Sequence, residues 1–329
     1  MKKREEVPAR GRTSERADQR SGKNRQETAK PIRSESQFNI PRRPCGGMKF
    51  FSLAARVAVV SVVALFVANS ASTRQEAPQR YYLGFDRNDY PGDDAMKLLR
   101  HDFAFTSYWL GNPPGESTNS WAGKRGLLRS EGFGFALLFA GPTSGQLRDE
   151  AYTRKRVAND TRAAAAAARR EGFPTGSVIF LDIEEGGRLP STYVTYLKAW
   201  ASELERLGFR AGVYCSGIPV DEGEGLKLIT SDFIREQIRP AELVYWVYND
   251  SCPPSPGCSA PQDPLAPSKS GIGYAQIWQF VRSPRDKETA RHCRGYAKDG
   301  NCYAALDTAH RFHLDVNSAT SPDPSGATK

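Results

Sequence analysis

Asp182 and Glu184 stand two residues apart at the end of an apolar run, Ser177-Val-Ile-Phe-Leu-Asp182-Ile-Glu184-Glu185. Alternate side chains on a strand point to one side, with a rise of about 6 to 7 Å between them, so the two acids share a face at the strand's carboxyl end. Two more acids hold similar places. Asp86 ends Leu83-Gly84-Phe85-Asp86, and Asp315 sits late in a run from Phe312 to Val316. Any one of them could simply meet water or bond a loop. Brought together they form an acidic cup in which carboxylates raise one another's pKa. One then stays protonated as a general acid while another stays charged, as cleavage of a glycosidic bond requires.

Aromatic residues are frequent at the same strand ends: Tyr108, Trp109, Tyr214, Tyr245, Trp246, Tyr248, Trp278 and Phe280. Sugars stack on such rings, although core packing accounts for many of them. Other chemistries have little to rest on. His101, His292, His310 and His313 include no zinc-protease pattern, and no Gly-x-Ser-x-Gly elbow accompanies them. Gly271-Ile-Gly273 and Gly223-Glu-Gly225 lack the third glycine of a nucleotide fingerprint. No metal or cofactor is called for.

These acids need a scaffold that gathers distant strand ends. Eight strands are expected, at Tyr81 to Asp86, Phe103 to Trp109, Phe133 to Phe139, Ser177 to Ile183, Phe209 to Cys215, Leu243 to Tyr248, Tyr274 to Phe280 and Phe312 to Val316. Several are apolar on both faces, as in a parallel sheet covered by helices. Helices are expected over Asp149 to Glu171 and Ser191 to Leu207, closed by Gly172 and Gly208. Eight strands in about 240 residues, mostly alternating with helices, predict an α/β fold, a (β/α)8 TIM-type barrel. Its mouth would carry the acids, and closure would set the first strand beside the last. The connections 251 to 273 and 281 to 311 are rich in Pro, Gly and Cys, so the last helices should be short or missing. A doubly wound open sheet is the rival, but Asp86-Arg87-Asn88-Asp89-Tyr90-Pro91-Gly92 is no phosphate loop.

Gly84-Phe85-Asp86, the Asp182-x-Glu184 pair, Gly212-Val213-Tyr214, Tyr245-Trp246, Gln276-Ile277-Trp278-Gln279-Phe280 and Leu314-Asp315-Val316-Asn317 resemble, in this order, the family 25 glycoside hydrolases, the lysozyme-type muramidases. The overall pattern is closer still to the glycoside-hydrolase-like barrel domain of unknown function of secreted bacterial proteins. This resemblance covers about residues 80 to 318. It implies Glu184 as general acid and Asp182 as its partner on the substrate's acetamido group. Asp86 and Asp315 would complete the site, and Trp278 and Gln279 would line the sugar groove. Tyr108, Tyr214 and Trp246 join them as candidate sugar contacts. The substrate it implies is peptidoglycan or a related polysaccharide. The first motif departs from the muramidases in continuing as Arg87-Asn88-Asp89, which sets a cation beside Asp86. That keeps a second reading open, a non-catalytic cell-wall or glycan-binding barrel.

The 329 residues include 46 Lys+Arg and 37 Asp+Glu, a net charge of +9. Residues 1 to 47 hold 13 of the basic and 6 of the acidic side chains, whereas from residue 57 onward the two are equal at 31 each. A nucleic-acid partner is therefore not expected of the folded part. Residues 1 to 47 read as a disordered basic leader, which is untranslated if Met48 is the true start. Residues 48 to 70 read as a signal peptide or signal anchor around the apolar Val57 to Ala68, and 71 to 80 as a linker. The barrel is expected over 81 to 318, with a disordered tail at 319 to 329. Export would make the membrane a partner only through an uncleaved N-terminus. It also suits disulfides, most economically Cys252 with Cys258 and Cys293 with Cys302, while Cys215 reads as a buried thiol. Zinc competes for those four cysteines, but neither pair has a two-residue spacing.

Overall fold

The computed structural model describes residues 79–239, 242–251, 254, 264–282 and 311–328. The leader, the signal segment and the four cysteines proposed to pair lie outside the described residues, as do His292 and His310. Among those described, no helix is long and apolar enough to cross a membrane.

Eight strands close into a barrel. They are β1 (Tyr82–Asp86), β2 (Phe105–Trp109), β3 (Gly134–Ala140), β4 (Val178–Asp182), β5 (Arg210–Ser216), β8 (Val244–Tyr248), β9 (Ile277–Val281) and β10 (Asp315–Ala319). Around the barrel they follow the order β1-β10-β9-β8-β5-β4-β3-β2. Helices α1 (Asp93–Leu99), α2 (Arg125–Ser130), α3 (Glu150–Arg170) and α4 (Ser191–Arg206) follow the first four strands. After β5 come a hairpin of β6 (Pro219–Asp221) and β7 (Lys227–Ile229) and the short α5 (Thr230–Gln237). The connections 251 to 273 and 281 to 311, expected to carry short or missing helices, lie largely outside the described residues.

Local sequence explains the two long helices. The Asp149 carboxylate caps α3 by accepting from the Tyr152 N–H at 2.8 Å. Ala164, Ala165, Ala167 and Ala168 are buried along α3, which packs against α4. Gly172 and Gly208 end α3 and α4 at φ 82° and 83°, left-handed backbone that a Cβ disfavours.

Inside the barrel, glycine makes room for aromatic rings. A Cβ on Gly84 would lie 2.4 Å from the Phe105 ring, and one on Gly212 would lie 2.4 Å from the Phe180 ring. The indole of Trp246 meets Phe180 edge-on at 5.7 Å and Tyr214 at 5.1 Å. These rings fill the barrel beneath its mouth.

Two expectations need correction. The last strand is not parallel to the others: β10 pairs antiparallel with both β1 and β9. A parallel strand here would have to start from the other end of the barrel, whereas β10 begins at the mouth, where β9 ends. Nor are residues 319–328 a disordered tail. Ala319 ends β10, and the residues after it run across the bottom of the barrel where β3 and β4 begin. The Ser325 N–H donates to the Phe135 carbonyl at 2.8 Å, and its carbonyl accepts from the Val178 N–H at 2.9 Å. The Ser325 hydroxyl accepts from the Leu137 N–H, and Asp323 accepts from the Phe135 N–H. Backbone groups at the start of β3 and β4 thereby gain partners before the ladder between those strands begins at Leu137 and Ile179.

Candidate active site

The reversal of β10 decides where Asp315 lies. As the strand's first residue it sits at the mouth and stands directly opposite Asp86 in the β1–β10 ladder. The sequence reading set it late in a parallel strand. It therefore reaches the expected place by the opposite chain direction.

A cavity of about 280 Å³ opens at the mouth, and Asp86, Asp182, Glu184 and Asp315 all line it. Trp109, Tyr214, Tyr248, Gln279, Asp250 and Arg282 supply much of the rest. Asp182 is 5% exposed and hydrogen-bonds Glu184, while one of its oxygens, Oδ1, has no protein partner. Burial first, then the charge and hydrogen bond of Glu184, then the charge of Asp86, push its carboxyl well above the usual range. Glu184 lies just beyond the end of β4 and is exposed. Its neighbour Glu185 turns away, accepting from the Ser144 backbone N–H at 2.7 Å and from the Ser144 hydroxyl.

Asp86 has different company. It accepts from Asn317 Nδ2 at 2.6 Å and from Gln279 Nε2 at 3.1 and 3.2 Å to its two oxygens. Behind these amides, Trp246 Nε1 donates to Asn317 Oδ1 at 2.8 Å and the Tyr214 hydroxyl to Gln279 Oε1 at 3.1 Å. Burial and the charges of Asp86, Glu184, Asp182 and Asp315 raise Tyr214 well above its ordinary value, so the phenol stays neutral and able to donate.

The candidate sugar contacts divide. Tyr214 and Gln279 line the cavity. Tyr108, Trp246 and Trp278 do not. Tyr108 faces outward from β2, packs on Phe135 and Phe173 and donates to Glu171 at 2.5 Å. Trp278 alternates with Gln279, so it faces outward, buried beside Phe280 and bonded to the Asn249 carbonyl at 3.1 Å. Trp246 points inward but lies fully buried.

In their place stand Trp109 and Tyr248, which the sequence reading had noted among the strand-end aromatics without assigning them to the site. The Trp109 indole N–H donates to the Arg87 carbonyl at 3.1 Å, and the Tyr248 hydroxyl donates to the Glu184 carbonyl at 3.3 Å. Strand period alone could have selected Trp109, which shares the inward parity of Phe105. Tyr248, two from Trp246, was likewise open to selection.

The cation beside the cup is Arg282, ion-paired to Asp250 at 2.6 Å. Arg87, expected to hold that position, donates to the Phe312 carbonyl. It lines a second pocket of about 310 Å³ with Asp89, Glu116 and His313, which shares Asp86, Asn88 and Asp315 with the first. The β6–β7 hairpin borders the loop after β4 through an Arg188–Glu222 ion pair at 2.9 Å. Its tip holds Gly223, Glu224 and Gly225, all at positive φ. Among the described residues no cluster of three or more His, Cys, Asp or Glu side chains is arranged to hold a metal ion. Cys215 is a buried free thiol, raised further by that burial.

Comparison with known proteins gives a family match. Residues 115–251 match the model of the Rv2525c-like, glycoside hydrolase-like domain. No curated protein sequence matches the chain. Similar solved structures include an uncharacterized protein of B. stearothermophilus, 18% identical with a TM-score of 0.47, covering 72% of this chain and 95% of that one. The Tat-secreted protein Rv2525c of Mycobacterium tuberculosis, in complex with L-tartrate, is 15% identical at a TM-score of 0.45, covering 76% and 100%. A family 25 glycosyl hydrolase from Bacillus anthracis is 11% identical at 0.39, covering 73% and 88%. From the loop after β2 to the end of β8, the chain thus matches the Rv2525c-like, glycoside hydrolase-like domain, the resemblance that its acidic strand ends already carried.

Proposed function

We propose that this is an exported glycoside hydrolase acting on peptidoglycan or a related polysaccharide by carboxylate acid catalysis. One observation carries the reading: four acids, from the paired strands β1 and β10, from β4 and from the loop after it, line a single cavity, and the most buried of them is hydrogen-bonded to the most exposed. Burial favours the protonated form of Asp182, which hydrogen-bonds Glu184. Glu184, on the open side, is placed to act on a glycosidic oxygen. Asp86, bound by two amide donors, faces the positive charge that develops on the sugar ring as the bond breaks. Asp315 extends the same wall. Tyr248, partly exposed on the cavity wall, offers its ring to the glycan.

Export rests on the apolar segment Val57 to Ala68 and the polar residues that follow it. Release of reducing sugar from purified peptidoglycan by the wild type and by Glu184→Gln tests the enzyme reading. Wild-type release that falls by about 10² to 10⁴ in the variant supports it. Absence of release by either protein, alongside measurable glycan binding, rejects it in favour of a binding barrel.

A further inference from the structure

We propose that Trp246 and Tyr214 are positioning residues that act on Asp86 through Asn317 and Gln279. The catalytic consequence rests on the hydrolase reading above, whereas the positioning itself does not.

A carboxamide can present either its oxygen or its NH2 to a neighbour, and the neighbours decide which. An indole N–H only donates. With Trp246 Nε1 at 2.8 Å, the oxygen of Asn317 is committed to the barrel interior and its Nδ2 is left for Asp86. The same logic sets Gln279, whose oxygen accepts from the neutral Tyr214 phenol while its Nε2 spans both oxygens of Asp86. The two amides come from different strands, β9 and β10, and the two groups that orient them from β5 and β8. The carboxylate plane of Asp86 is thereby tied to four strands.

Trp246 is well suited to the task. It is fully buried and wedged between Phe180 and Tyr214, so its ring has no room to turn. A tryptophan without solvent exposure cannot stack on a sugar, so its position in the barrel calls for another role. The surroundings of Asp86 make that role necessary. Asp315 faces it across the ladder, Asp182 and Glu184 share its cavity, and Asp89, Glu116 and His313 line the pocket on its other side. Tyr214 lies beneath it, and the adjacent Arg87 turns to the Phe312 carbonyl. Crowded carboxylates favour protonation of one of their number, and donors fixed toward Asp86 oppose that at this site. If either amide turned over, its oxygen would meet the carboxylate, and a donor would become a repelling acceptor.

The test is the carboxyl-carbon NMR resonance of Asp86, assigned in the full chain by loss of the signal in Asp86→Asn and followed through a pH titration. In Trp246→Phe the indole donor is lost while an aromatic ring is kept, and in Tyr214→Phe only a hydroxyl is lost. Each should move the Asp86 midpoint up by about half to one pH unit. Asn317→Asp puts an acceptor where the donor was and should move it further. The sugar-release assay should show kcat lower by about fivefold to tenfold in the two Phe variants, with KM within about twofold.

A midpoint unchanged in Tyr214→Phe and Asn317→Asp overturns the proposal, even if activity falls. Should Trp246→Phe fail to fold, the Tyr214 and Asn317 variants carry the test alone. A midpoint that moves as expected in a protein that releases no sugar upholds the positioning and rejects the hydrolase reading. Sugar release with an unmoved midpoint does the reverse.

Discussion

Replacing Asp182 by Asn should stabilise the protein at neutral pH, with a gain that grows as the pH rises. Asp182 is 5% exposed, lies against Glu184 and feels the charge of Asp86, so the folded protein holds its proton more tightly than the unfolded chain does. In the unfolded chain the group titrates near pH 4. Below that pH both states are protonated and the residue contributes no pH dependence. Above it the unfolded state has released the proton while the folded state keeps it. Folded stability then falls by up to about 1.4 kcal/mol per pH unit until the folded carboxyl ionises in turn. Asparagine keeps the shape and a donor toward Glu184 but does not titrate. The difference in unfolding free energy between variant and wild type should therefore be flat below about pH 4 and open above it at up to that slope. In a domain of this size each kcal/mol corresponds to about 2 to 4 °C in Tm. Urea unfolding from pH 3 to pH 8 measures the difference directly. The variant should also lose sugar release, because the amide cannot pass a proton to Glu184 as the buried carboxyl can. Glu184→Gln removes one of the neighbouring charges but not the burial, so it should reduce the slope's span without abolishing it. Parallel curves for wild type and Asp182→Asn across this range would refute the reasoning, since Asp182 would then titrate alike in both states.

The barrel was legible because its signals are local and repeated. Apolar runs such as Val178–Asp182 and the glycine-closed α3 and α4 appear in the structure within one or two residues of where sequence places them. Asp182 was legible for the same reason, since it closes a strand after four buried residues, Val178 to Leu181. Strand direction was not. Nothing in Asp315–Ala319 distinguishes a parallel from an antiparallel neighbour. The aromatic assignments failed at Tyr108 and Trp278 because strand ends in a barrel present rings to both faces, and parity was not applied to them. Trp246 failed for a different reason. It has the correct parity but lies one pair of residues too deep, and depth is set by the stagger of the strands rather than by any one of them. The C-terminal residues read as disordered because Ser, Pro, Asp and Gly supply little apolar surface. Their order comes from main-chain and Asp323 hydrogen bonds to unpaired strand starts, which composition does not record.

Three further outcomes are expected. Tyr108→Phe removes the bond to Glu171 on the outside of the barrel and should cost about 1 kcal/mol in urea unfolding. Sugar release should be unaltered, and a fall in kcat without a fall in stability would return Tyr108 to the site. Gly212→Ala drives a methyl to within 2.4 Å of the Phe180 ring, beneath Trp246, and should cost about 1 to 3 kcal/mol of stability by thermal unfolding. A variant as stable as the wild type would mean that the ring is free to shift. Finally, Asp323→Ala removes the acceptor shared by the Phe135 N–H at 3.0 Å, the Thr328 N–H at 2.9 Å and the Thr328 hydroxyl at 2.7 Å. The Thr328 groups can turn to water, but the Phe135 N–H is left facing the barrel floor, so the loss should be about 1 to 3 kcal/mol. Hydrogen exchange should then quicken at Phe135, Leu137 and Val178 together, because the Phe135 N–H loses Asp323 itself, and Ser325 accepts from Leu137 and Val178, on β3 and β4, only while Asp323 holds the segment in place. Faster exchange confined to Phe135 would show that Ser325 keeps its place without Asp323.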